Sequence, residues 1–340
     1  MKLSTVEELE TELSDPPDYV VERLAGLDGD LIVLGVAGKM GPTLARMASR
    51  ADEKAGVKRR VIGVSRFSNP TVQAKLQAWG IETIQADLLD EQAVANLPDV
   101  PNVVYMAGMK FGATGNESLT WAMNTGLPAN VCRRYAGSRI AAFSTGNVYG
   151  MTPVTGGGSV ETDRLNPIGE YAMSCLGRER VFEHFTRQRS IPTAIIRLNY
   201  ACELRYGVLV DLAQQVWSGR PINLAMGTFN VIWQGDANAM ALACLTECNS
   251  PATVLNVTGP ETLSVRRVCE QLAERMGKPV EFVGEESSSA LLSNAQPAHQ
   301  RFGYPRVAAG IIVDRVADWV KCGGETLGKP TKFEVLDGRY

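Results

Sequence analysis

The chain has 340 residues, 34 of them Lys or Arg and 37 Asp or Glu, for a net charge of −3. With 45% apolar and 21% charged residues it can bury a large core, and without a long basic run it lacks the electrostatic footprint of a nucleic-acid binder. No apolar run approaches the ~18 residues of a membrane span, the acidic start MKLSTVEELETELSDPP is unlike a signal peptide, and the seven scattered cysteines read as reduced thiols, so a cytoplasmic protein is expected. With only His184 and His299, and Cys244 and Cys248 lacking further partners, no metal site is expected.

In chain order, the Ser4-Thr5-Val6-Glu7-Glu8 capping spacing predicts a helix over 5–14, stopped by Pro16-Pro17, and a second short helix over Tyr19–Ala25. DLIVLGV (30–36) is a continuous apolar run and predicts a strand covered on both faces. Helices at 41–55, 70–79, 90–96 and 117–136 then alternate with strands at 59–65, 81–87, 102–108 and 139–145, and a helix containing Tyr171 and ending near 189 precedes a strand at 192–199. Six strand–helix repeats with short connections predict a Rossmann-type α/β fold, a doubly wound parallel sheet. After residue 200 the rhythm breaks. A helix near 208–218, a strand entering a helix in FNVIWQGDANAMALACLTEC, a strand at 254–259, a helix at 263–277 and the strand PVEFV predict a smaller C-terminal α+β lobe. The division expected is an N-terminal helical extension (1–29), a dinucleotide-binding unit (30–200, with 231–260 returning to it) and a substrate lobe (201–230 and 261–340).

Gly35-Val36-Ala37-Gly38-Lys39-Met40-Gly41 follows the first strand and opens a helix. Glycines there permit a tight turn and close approach to a pyrophosphate, and the helix N-terminus offers free N–H groups. The spacing is GxxGxxG, and its βαβ context points to a dinucleotide. The second strand ends in Ser65 and Arg66, where NAD-binding folds usually carry a carboxylate for the ribose hydroxyls. A hydroxyl and a guanidinium suit a 2′-phosphate, which favours NADP over NAD; alternatively Arg66 stacks on the adenine or faces solvent. Asp87, ending the third strand, either accepts from the adenine amino group or caps the helix beginning at Leu88 or Leu89.

The ordered motifs GVAGKMG (35–41), QADLLD (85–90), VVYMAGMK (103–110), Asn124 in WAMNTG, FSTGNVYG (143–150), Tyr171 in GEYAMSC and QGDANAMALACL (234–245) resemble the extended short-chain dehydrogenase/reductases, and within them the NAD-dependent epimerase/dehydratase family. The resemblance spans the chain from about residue 30. It implies an NAD(P)-dependent enzyme transferring hydride at a sugar carbon, with Tyr171 as proton-transfer residue and Thr145, with Ser144 beside it, bonding the same oxygen. It implies a cofactor lined by Ala37, Leu88, Ala107, Gly108, Lys110, Asn124 and Tyr171 as well as the glycine loop. It also implies a homodimer paired through the helices at 117–136 and after Tyr171. Thr145, Asn147, Tyr200, Glu203, Arg205 and Trp233 are the expected substrate residues, Glu203 and Arg205 having an exposed ion pair as their alternative.

Two departures bear on chemistry. The family's lysine four residues after the tyrosine is Cys175 here. A free tyrosine titrates near ~10 and is a poor base at neutral pH without a neighbouring cation. The cation comes from Lys110, Arg178 or the oxidised nicotinamide; or Thr145 and Tyr171 act slowly on a reactive substrate; or the chain is a cofactor-binding sensor that has lost turnover. Second, the arginine that clamps a nucleotide sugar's diphosphate falls at Phe229 and Asn230 in GTFNVIWQGD. Neutral side chains cannot replace its charge-assisted bonds, so the expected substrate is a free sugar, sugar acid or other small polyol, oxidised or epimerised.

Overall fold

The structure is a computed structural model that describes residues 3–110, 112, 114–335 and 338. Its elements in chain order are α1 (Val6–Leu13), α2 (Asp18–Ala25), β1 (Leu31–Leu34), α3 (Gly41–Ala55), β2 (Val61–Ser65), α4 (Pro70–Ala78), β3 (Glu82–Gln85), α5 (Glu91–Ala95), β4 (Asn102–Tyr105), α6 (Glu117–Trp121), α7 (Leu127–Arg134), β5 (Arg139–Thr145), β6 (Thr152–Pro153), α8 (Gly169–Arg189) and β7 (Thr193–Leu198). There follow β8 (Ala201–Cys202), α9 (Val208–Trp217), β9 (Ile222–Asn223), β10 (Thr228–Phe229), β11 (Ile232–Trp233), α10 (Gln234–Ala243), β12 (Thr253–Val257), β13 (Leu263–Ser264), α11 (Val265–Met276), β14 (Phe282–Val283), β15 (Ser289–Ala290), α12 (Gln296–Phe302) and α13 (Ala309–Lys321).

Seven strands form one parallel sheet in the order β12-β7-β5-β4-β1-β2-β3. All four residues of β1 are buried because each face of the sheet is covered. Leu31 and Val33 join the apolar layer under α2, α3 and α10. Ile32 and Leu34, pointing the other way by the two-residue period of a strand, join the layer under α5, α7 and α8. From β1 the chain winds outward to β3, then returns to the other side through β4. The carboxyl ends of β1 and β4 therefore flank the topological switch point, where open α/β sheets bind ligands.

A third core fills the C-terminal lobe, where Leu212 and Val216 of α9, Leu272 of α11 and Val316 of α13 meet Leu9 and Leu13 of α1. The N-terminal helix thus lends two leucines to the C-terminal core while packing mainly against α10 and α3. Thr5 and Glu8 cap α1 reciprocally, as their spacing predicts, and Gly277 closes α11 in the left-handed conformation. The helix expected to run unbroken over 117–136 is interrupted by a π-helical turn at Ala122–Gly126. The sequence reading leaves α12 and α13 unassigned.

Candidate active site

The turn leaving β1 lies hard against the end of β4. Gly35 has φ +88°, and a Cβ there would sit 2.7 Å from the Ala107 nitrogen; at Gly41 a Cβ would sit 2.1 Å from the Val36 carbonyl oxygen. Only glycine tolerates either position. The cleft beside this turn is lined by Gly35, Ala37, Gly38, Ser65, Arg66, Asp87, Leu88, Ala107 and Gly108, together with Ser68, Ala86, Met106, Met123 and Leu127, which the sequence reading did not single out. A bare glycine backbone at a helix N-terminus, opening onto a cleft that runs from the end of β2 to the end of β4, fits a dinucleotide. Asp87 faces the cleft, and its Oδ1 also accepts from the Leu89 amide at 3.0 Å. Met40 is buried at the start of α3 and does not line the cleft.

A second cavity, of about 140 Å³, opens beyond the carboxyl ends of β5 and β7. Lys39, Lys110, Ser144, Thr145, Asn147, Tyr171 and Tyr200 line it, with Asn199, Cys202, Tyr206, Gly207, Val208 and Thr331. Thr145 is the last residue of β5 and Tyr171 lies in the first turn of α8, which returns across that strand end. The phenol lies within electrostatic reach of the Thr145 hydroxyl and the Cys175 thiol, while that hydroxyl donates to Asn147 Oδ1 at 2.9 Å and accepts from the Asn147 amide at 3.2 Å. Burial pushes Tyr171 well above the ordinary tyrosine range and Cys175 adds to the rise, while the Arg178 guanidinium opposes it. Cys175 is itself fully buried beside Val148 and Tyr149, and burial pushes its thiol up, so it stays neutral.

Two cations stand near the phenol. Lys110 Nζ is 5.7 Å from the Tyr171 ring centroid, and burial pulls its ammonium down to about 8. Arg178, one turn beyond Cys175, is buried and bonds the Phe143 carbonyl at 3.0 Å and Asn124 Oδ1. The fit is close: a Cβ on Gly108 would meet an Arg178 Nη at 2.4 Å. Asn124 sits in the π-turn, accepts from the Met109 amide at 2.9 Å, and donates to the Met109 carbonyl and to Ser174 Oγ. It therefore ties β4's exit, α8 and Arg178 together.

Other expected residues are engaged inside the protein. Ser144 lines the cavity, but its hydroxyl donates to the fully buried Glu179, which Arg197 grips at 2.8 Å. Arg197 in turn bonds the Tyr149 hydroxyl, which bonds Asn256. Glu203 and Arg205 do not line the cavity, nor are they an exposed pair. They are buried together, Arg205 reaching Glu203 at 3.2 Å and Glu10 of α1 at 3.0 Å. Trp233 is buried in the C-terminal core with the Arg315 guanidinium over its ring, away from the cavity. The polar or aromatic character of these three side chains is satisfied inside the protein.

Among the described residues, no group of three or more His, Cys, Asp or Glu is arranged to hold a metal ion, and no helix is long and apolar enough to cross a membrane. Residues 31–202, just over half of the chain, match the NAD dependent epimerase/dehydratase family. A comparison with curated proteins finds no match. Similar solved structures include the UDP-glucuronic acid 4-epimerase of Bacillus cereus in complex with NAD, with a TM-score of 0.71 and 19% identity over 86% of this chain and 99% of that one. The dTDP-glucose 4,6-dehydratase of Streptomyces venezuelae with NAD and TYD bound gives 0.71 and 19% over 86% and 97%. The UDP-Glc/GlcNAc 4-epimerase of Campylobacter jejuni gives 0.70 and 21% over 87% and 100%. At these identities the structures establish a shared fold, while the family match adds the chemistry: the chain belongs to the NAD-dependent epimerase/dehydratase family and is one of its enzymes.

Proposed function

We propose that the enzyme oxidises, reduces or epimerises an alcohol or ketone carbon of a small carbohydrate-type molecule, using NAD(P). The observation that carries this reading is the Tyr171–Thr145 pair, whose hydroxyls line one cavity and influence each other's charge beside the glycine-turn cleft. A substrate hydroxyl bridging the two gives its proton to Tyr171 and stays oriented by Thr145. A bound nicotinamide supplies the acceptor for the hydride leaving the same carbon. Lys110 and Arg178 stabilise the phenolate, taking over by position the electrostatic work of the lysine that Cys175 replaces. Asn124 holds Arg178 in place.

Substrate size follows from the far wall. The solved neighbours are named for UDP- and dTDP-linked sugars. In this chain Phe229 is fully buried and packs 6.2 Å from the ring of Phe333, and Asn230 bonds Asn199 and the Ser293 carbonyl. Thr331, pinned through its amide and hydroxyl to Asp211, lines the cavity. Apolar rings and the chain's own C-terminal segment fill the space around the position of a diphosphate clamp. This supports a free sugar, sugar acid or polyol as substrate. The reading includes a homodimer paired through α6 and α8, supported by the exposed apolar side chains Leu119, Trp121 and Met173 on those helices.

The test is a screen of polyols, sugars and sugar acids followed at the absorbance of reduced nicotinamide, with Tyr171→Phe as control. Turnover of a UDP- or dTDP-sugar in preference to all unlinked compounds overturns the substrate reading. Cofactor choice has its own test. Ser65, Arg66 and Ser68 line the cleft at the end of β2 and support recognition of a 2′-phosphate. Arg66→Asp is expected to lower the NADP-to-NAD ratio of kcat/KM by about tenfold or more, the loss of at least one charge-assisted bond. A wild-type protein that already prefers NAD contradicts this assignment.

A further inference from the structure

Thr145 and Asn147 are bound to each other twice. The Asn147 amide donates to Thr145 Oγ at 3.2 Å, which caps the short 3₁₀ turn Gly146–Val148 at the end of β5. In return the Thr145 hydroxyl donates to Asn147 Oδ1 at 2.9 Å. The turn needs only the first of these bonds, because an accepting side-chain oxygen suffices for a cap. A hydroxyl has one proton and two lone pairs, so with both bonds made Thr145 keeps one lone pair and no free donor. The turn itself has little room to shift: a Cβ on Gly146 would meet Ser293 Oγ at 2.9 Å and Asn199 Cβ at 3.2 Å. Thr145, Asn147 and Tyr171 all line the reaction cavity. The proton that Asn147 holds is therefore the one Thr145 needs to stabilise a negative oxygen beside Tyr171. A hydrogen bond to an ionised oxygen is roughly twice as strong as one to a neutral amide, so that oxygen outcompetes Asn147 once it carries charge.

We propose that Asn147 is a positioning residue for Thr145: it fixes the hydroxyl oxygen at the cavity wall, holds the hydroxyl proton in the resting site, and yields that proton to the substrate oxygen as an alkoxide develops there. This rests on the functional reading above and gives Asn147 a task besides lining the substrate space. The Thr145 O–H bond stays intact throughout. One hydrogen bond is exchanged for another by rotation about the Cβ–Oγ bond, while the substrate's own proton goes to Tyr171. Because the new bond forms only as charge builds, it favours the transition state over the bound alcohol and acts on kcat more than on binding.

The experiment is a double-mutant cycle on the full chain, with Asn147→Leu and Thr145→Val made singly and together. Steady-state kcat and KM are measured with the polyol, sugar or sugar acid turned over fastest in the screen above. Asn147→Leu keeps the side chain's size and the capping backbone amide but removes the acceptor; Asn147→Ala is the second variant, so that the result does not hinge on how leucine packs. Each Asn147 variant should lower kcat by about tenfold, the loss of one well-placed charge-assisted bond, with KM nearly unchanged. Thr145→Val should lose at least as much, and the double variant should match Thr145→Val within about twofold, since a residue acting through another has nothing left to act on. The proposal is overturned if the two losses multiply, if the Asn147 variants raise KM and spare kcat as a direct substrate contact would, or if they change neither. The two readings fail separately. Losses that multiply in an enzyme silenced by Tyr171→Phe end this inference and keep the enzymatic reading. A wild type that turns over none of the screened compounds ends the enzymatic reading, and this one with it.

Discussion

Replacing Tyr171 by Phe is expected to lower kcat by about 10²–10⁴-fold, the usual contribution of a positioned proton-transfer group, while leaving cofactor affinity within about twofold. The exchange removes one oxygen and keeps the ring beneath Lys110. The informative partner is Cys175→Ala. Burial is the main cause of the phenol's raised pKa, and the neighbouring thiol adds to it. Deleting it therefore eases ionisation of Tyr171, and the rate near neutral pH should hold or rise. Kinetics of the two variants with one substrate decide the matter. If Cys175→Ala loses as much as Tyr171→Phe, the thiol is doing the chemistry and the assignment of Tyr171 fails.

Arg197→Met should destabilise the fold by about 3–5 kcal/mol, the cost of leaving a buried carboxylate without its partner. Glu179 is fully buried, and Arg197 meets it through Nε and Nη2 at 2.8–3.2 Å. Glu179 also raises the affinity of that guanidinium for its proton. Because Glu179 holds Ser144, next to Thr145, the loss is felt at the end of β5, where the reaction cavity begins. Urea unfolding should show a lower midpoint at unchanged slope. The double variant Arg197→Met/Glu179→Leu should recover a large part of the loss, because it removes the orphaned charge as well as its partner. A single variant as stable as the wild type contradicts the account.

The alternating half of the fold was legible because parallel strands covered on both faces are continuous apolar runs, as in LIVL and RIAAFST, and because Thr5 and Gly277 mark helix ends. The boundaries of α3 and β5 coincide with those expected. The π-turn at 122–126 was not legible, since a single π-helical turn inside a helix carries no residue signature of its own. The missed α13 had a readable signal: Ile312, Val313, Val316, Ala317 and Val320 recur at helical spacing and are all buried. At the site, Thr145, Tyr171 and Lys110 are separated by up to 61 residues, yet each sits at the same end of the sheet, so motif order sufficed to bring them together. Glu203 and Arg205 were misread because their satisfying partner, Glu10, is 195 residues from Arg205, and no local pattern announces such a pairing. Lys39 was assigned to the cofactor because its backbone is in the glycine turn; only the path of its side chain shows the other cavity.

The bond from Arg205 to Glu10 reaches beyond bookkeeping of ion pairs. Lys75 also holds Glu10, at 2.8 Å, so a single carboxylate on α1 braces the 201–207 hairpin-like segment against the Rossmann half. That segment carries Ala201, Cys202 and Tyr206, and with them the seat of Lys39. The amino-terminal helix is thereby a tie-rod for the mouth of the cavity, although none of its residues lines the opening. On warming, fraying of this short helix would slacken the mouth while the sheet stays whole, so the catalyst should fail several degrees before the far-ultraviolet ellipticity does.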